Sequence, residues 1–133
     1  MNNFNLRKLF HDVFLPESGE IVTIMTDIPH AHLPDNDNWV ERRQMAMEWH
    51  DILDCMGDEM GFQVNPLLLY PATGASHAPL PQEGKMGDTT VDVLETINES
   101  TIVLAFGEFS ATGPLAAATR ETSDLRVATL PLV

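Results

Sequence analysis

The pattern of apolar and polar residues predicts strands and helices that alternate along the chain. A short apolar run rich in β-branched residues, Thr101 to Phe106, is typical of a strand that is covered on both faces. Similar runs predict strands at Glu20 to Asp27, at Gln63 to Tyr70 and at Arg126 to Val133. The sequence therefore predicts about four strands, with Thr101 to Phe106 in the centre of the sheet.

Helical spacing of apolar residues predicts the helices between these strands. The strongest pattern runs from Asn38 to about Met60, where one face carries Met45, Trp49, Ile52, Leu53, Met56 and Met60. Asn38, with Glu41 three residues later, is its predicted N-cap, and Gly61 is its predicted end. Shorter helices are predicted at Leu6 to Phe14, after Asp88 or Thr89, and from Leu115 to about Ser123.

The segment between Pro71 and Gly87 shows no periodicity and is rich in glycine and proline, so we expect a long loop there. Alternating strands and helices call for a mostly parallel sheet with right-handed crossovers. The predicted fold class is therefore α/β, as a Rossmann-like three-layer sandwich in a single domain that spans residues 1–133.

The charge balance excludes some classes of partner. The chain has 20 acidic and 7 basic residues and a formal net charge of -13, which repels phosphate backbones and anionic lipid. We therefore expect neither nucleic acid nor a membrane surface as a partner. Cys55 is the single cysteine and is predicted to be buried on the apolar side of its helix. The first residues lack the long apolar core and the cleavage site that are typical of a secretory signal, so the expected location is the cytoplasm.

One loop could hold a metal ion. His30, His32, Asp35 and Asp37 form an H-x-H-x-x-D-x-D cluster, and imidazoles with carboxylates suit zinc, iron or cobalt. The same segment also has good turn and N-cap chemistry, which needs no metal. Both interpretations stay open at this point.

Polar residues follow the predicted strands at the end where α/β proteins usually bind ligands. We take them as candidates for a substrate cleft: Asp27, His30, Thr73, Ser76, His77, Glu108, Ser110 and Thr112. The chain has no G-x-S-x-G nucleophile motif, no G-x-G-x-x-G fingerprint and no Walker-type phosphate loop. No catalytic residue and no cofactor are assigned to this chain.

Several segments carry a family resemblance, and they follow one another in the order Leu6-Arg-Lys-Leu-Phe, Pro16-x-x-Gly-Glu20, Thr26-Asp-Ile-Pro-His30, Tyr70-Pro-Ala-Thr-Gly-Ala75, Glu108-Phe-Ser-Ala-Thr112 and Arg126-Val-Ala-Thr-Leu-Pro131. Together they resemble the amino-terminal domain of the aminopeptidase T-like family, thermophilic leucyl aminopeptidases that use two metal ions. None of the segments is a catalytic signature.

The resemblance implies a domain that is non-catalytic alone and contributes to the substrate cleft and to dimer packing. In that family the carboxyl-terminal domain holds the divalent metals, zinc, cobalt or iron, and no family ligand matches a residue here. The expected partners are a C-terminal catalytic domain or another subunit, with a homo-oligomer as the assembly. We also expect the chain to be the front part of a longer protein. The family resemblance includes an iron-dependent ring-cleaving dioxygenase, so a complete parent need not be a peptidase.

Two alternatives belong to other functional classes. The first is a self-sufficient metalloenzyme that uses His30, His32 and Asp35. The second is a non-enzymatic binding domain that oligomerises through an uncovered sheet.

Overall fold

The computed structural model describes residues 18–29, 35–72, 80–106 and 125–129. The elements in these ranges, in chain order, are β1 (Ile21–Ile28), α1 (Asp37–Met60), β2 (Gln63–Val64), β3 (Leu68–Pro71), β4 (Glu83–Met86), β5 (Thr89–Asp92), α2 (Val93–Glu99), β6 (Ile102–Phe106) and β7 (Arg126–Thr129). The helices predicted at Leu6 to Phe14 and from Leu115 onward lie outside the described residues. The fold is mixed α/β.

The strands of the described residues form one seven-stranded sheet in the order β5-β4-β3-β1-β6-β7, and β2 pairs with β1 beside this path. β1 pairs in parallel with β2, β3 and β6, and β6 pairs in parallel with β7. The two pairs formed by β4 are antiparallel. The mostly parallel sheet is confirmed, whereas about four strands was too few.

One extra strand arises because the predicted strand Gln63 to Tyr70 is split. Val22 of β1 stands opposite Val64, and Met25, three residues on, stands opposite Leu68, four residues on. The partner of β1 therefore contains one extra residue, as in a β-bulge. Asn65 fills this interruption: its backbone N–H donates to the Val22 carbonyl at 2.9 Å, and its side-chain amide donates to the Thr23 hydroxyl at 2.9 Å.

The other extra strands form a hairpin where the sequence predicted loop and helix. β4 and β5 pair in antiparallel fashion around a turn in which Gly87 has a φ of 63°. α2 therefore begins only at Val93, with the Asp92 carboxylate accepting from the Glu95 N–H at 2.9 Å. Gly84 allows β4 to lie close to β3: any other residue would place a Cβ 2.7 Å from the Leu69 carbonyl oxygen.

α1 matches its prediction except at its N-cap and at its cysteine. Its N-cap is Asn36 rather than Asn38, since the Asn36 side chain accepts from the Trp39 N–H at 2.9 Å. Gly61 ends the helix in the left-handed conformation, as predicted. Cys55 is exposed, so its predicted burial is wrong. It lies two residues after the buried Leu53, about 200° around the helix axis.

Alternate residues of β1 belong to two separate hydrophobic cores. Val22 and Ile24 pack in the first core with a face of α1, namely Ala46, Leu53 and Met56. Met25 packs in the second core with Val93 and Ile97 of α2. Because successive side chains of a strand point to opposite faces, the two cores lie on opposite faces of the sheet. β6 is buried at all of its positions and contributes to both cores, which confirms that it is covered on both faces. In the strand order of the described residues it lies between β1 and β7, next to the end of the sheet rather than at its centre.

Candidate functional site

Three adjacent parallel strands, β3, β1 and β6, end at the same edge of the sheet. The chain passes from β1 to β3 on one side of β1 and later returns to β6 on its other side. In open α/β sheets such a reversal of strand order leaves a crevice outside the carboxyl ends of the strands, where ligands bind. We call this place the strand-end edge, and Asp27, Tyr70 and Phe106 mark it on the three strands.

Most of the predicted cleft residues follow these three strands but lie outside the described residues. His30 follows β1, and Glu108, Ser110 and Thr112 follow β6. The residues that follow β3 are Thr73, Ser76 and His77. The strands before these segments are neighbours in the sheet. Of the predicted cleft residues, Asp27 is the one that the structure describes.

Asp27 is fully buried and its carboxyl group is held by the first turn of α1. The indole Nε1 of Trp39 donates to Asp27 Oδ1 at 2.9 Å and to the Asp27 carbonyl oxygen at 3.1 Å. Trp39 itself is 1% exposed. Asp27 therefore ties the end of β1 to the start of α1 from within the protein.

Tyr70 is the neighbour of Asp27 across the sheet. It stands opposite Asp27 in the pairing of β3 with β1 and is 1% exposed. Burial raises the pKa of the Tyr70 phenol well above its usual range, and the nearby charge of Asp27 raises it further. The phenol therefore keeps its proton at physiological pH.

Two residues of the predicted metal cluster are described: Asp37, which is exposed at the start of α1, and Asp35, which is already paired. Arg43 donates from its two terminal nitrogens to the two carboxylate oxygens of Asp35, at 3.0 and 2.6 Å. The hydrogen bond from Arg43 holds the pKa of Asp35 below its usual value, and a backbone bond from the Asn36 N–H lowers it further. A metal ion at Asp35 would therefore lie beside the positive charge of Arg43, which opposes its binding.

His30 and His32 lie outside the described residues, so the metal cluster stays a prediction. Among the residues that the structure does describe, no group of three or more His, Cys, Asp or Glu side chains is placed to hold a metal ion.

Thr26 is a feature of the strand-end edge that sequence reasoning missed. It is fully buried next to Asp27, and it stands opposite Phe106, the last residue of β6. In the described part of the chain its hydroxyl has no hydrogen-bond partner. A threonine in a strand is ordinary in sequence, and the lack of a partner depends on neighbours distant in the chain, so no local signal could have revealed it.

No family model, no curated protein and no solved structure matches the chain. None of the helices in the described ranges is both long enough and apolar enough to cross a membrane.

Proposed function

We propose that this chain is the amino-terminal domain of a dinuclear-metal hydrolase similar to the leucyl aminopeptidases. The domain is non-catalytic alone and supplies one wall of the substrate cleft. Zinc, cobalt or iron ions are held by a C-terminal catalytic domain or by another subunit. The observation that carries this proposal is that the candidate cleft segments follow three adjacent parallel strands, β3, β1 and β6.

A Rossmann-like three-layer arrangement is part of the same proposal. It is supported by the two cores, because α1 contributes to one face of the sheet and α2 to the other. It is also supported by the order β3-β1-β6-β7, in which β1, the first strand of the described residues, lies inside the parallel part of the sheet.

This chain's own residues would give the cleft a rigid wall. In the complete enzyme the metal ions would activate a water and polarise a peptide carbonyl. The bond from Trp39 to Asp27 fixes the start of α1 against the end of β1, and Arg43 stands 6.0 Å from the centre of the Trp39 ring. Such fixed supports improve the precision with which loops present substrate-binding groups.

The test is the metal content of the full chain after incubation with zinc, cobalt or ferrous iron and removal of excess ion, measured by elemental mass spectrometry. We expect no tightly held ion and no hydrolysis of L-leucine p-nitroanilide. We also expect L-leucinamide to shift NMR signals of residues at the strand-end edge.

About one retained ion per chain, lost in His30→Ala and kept in the control His50→Ala, would instead support the self-sufficient metal site. His50 is a suitable control because it lies in α1, where its Nε2 is 2.9 Å from the Asn65 carbonyl oxygen.

A homo-oligomer is the expected assembly, through the cleft domain's dimer packing. β7 ends the strand order of the described residues, and an ion pair between Arg126 and Glu20 ties it to the start of β1. Light scattering over a range of concentrations tests this part. A monomer at all concentrations would contradict the proposed dimer packing. It would also contradict the alternative of a non-enzymatic domain that oligomerises through its sheet.

A further inference from the structure

We draw no further inference here: the strongest candidate, the groove of about 390 Å³ between the β4–β5 hairpin and α2 that is lined by Asp92, Glu95 and Glu99, rests on a cluster of acidic side chains, and nothing else in the described part of the chain points to a ligand for it.

Discussion

The indole Nε1 of Trp39 lies 2.9 Å from Oδ1 of Asp27, and both residues are buried. This bond joins the first turn of α1 to the last residues of β1. It connects a helix to the strand that precedes it, and the chain between them contains the predicted cleft residue His30. The bond therefore holds the end of β1 and the start of α1 together.

Trp39→Phe should be strongly destabilising, because it removes a donor from a buried carboxyl group and leaves space beside the ring. We expect a loss of about 2–4 kcal/mol in the free energy of unfolding, measured with urea. Trp49→Phe is the control: Trp49 packs edge-to-face on Phe106 with ring centres 5.6 Å apart, and phenylalanine keeps a ring there. The control should cost less than about 1.5 kcal/mol. Equal losses in the two variants would show that the bond to Asp27 adds nothing.

Tyr70 should not ionise while the chain is folded. It is the single tyrosine of the sequence, so absorbance at 295 nm reports it alone. Its pKa is raised in the folded chain, mainly by burial and also by Asp27. The folded state therefore loses stability relative to the unfolded state as the pH rises above about 10, the pKa of a free tyrosine.

We expect tyrosinate absorbance and loss of the circular dichroism signal to appear together on alkaline titration. Asp27→Asn removes the carboxylate that raises the pKa of Tyr70 in addition to burial. In a folded Asp27→Asn variant the pKa of Tyr70 should therefore fall. A reversible titration near pH 10 with unchanged circular dichroism would contradict the burial of the phenol.

Gly57→Ala should destabilise α1 even though alanine favours helices. In an open helix position the change from glycine to alanine stabilises by up to about 1 kcal/mol. At Gly57, however, a Cβ would stand 2.5 Å from the Phe62 carbonyl oxygen, and this backbone atom has little freedom to move. We expect a net loss of about 1–3 kcal/mol in urea unfolding. The neighbouring exposed position gives the control, since Asp58→Ala should be neutral or slightly stabilising.

Cys55 should react readily with the thiol reagent DTNB in the folded chain, because it is exposed on α1. The measurement compares its rate of reaction in buffer and in urea, and we expect comparable rates. Cys55→Ser must give no signal, since the sequence has no other cysteine. A reaction far slower in buffer than in urea would show that Cys55 is buried and would contradict its exposure in the structure.

The sequence predicts elements well where the pattern is long or strongly apolar. The 24-residue helix α1 and the fully buried β6 are of this kind. It fails at the β4–β5 hairpin, because Glu83–Met86 is a short segment without alternation and its strand pairing depends on β3. It fails at Cys55 because the apolar residues of α1 do not form a continuous stripe. Their pattern therefore does not show which residues at the border of the buried face are exposed.

Prediction of the candidate site divides in the same way. Asp27 could be expected from its position at the end of a strand. Its bond to Trp39 could not, since Trp39 becomes its neighbour only when α1 folds back over the sheet. The Thr26 hydroxyl, which has no hydrogen-bond partner among the described residues, could not be predicted either.

The pairing of β1 with β6 has a consequence for synthesis of the chain. Val22 pairs with Ile102, so one side of β1 obtains its partner only after a further 80 residues have been made. Until then this apolar strand presents open hydrogen-bonding groups to other chains that are being synthesised nearby. Long-range pairing of this kind also slows folding. β1 therefore needs protection from aggregation on the ribosome until Ile102 has been made.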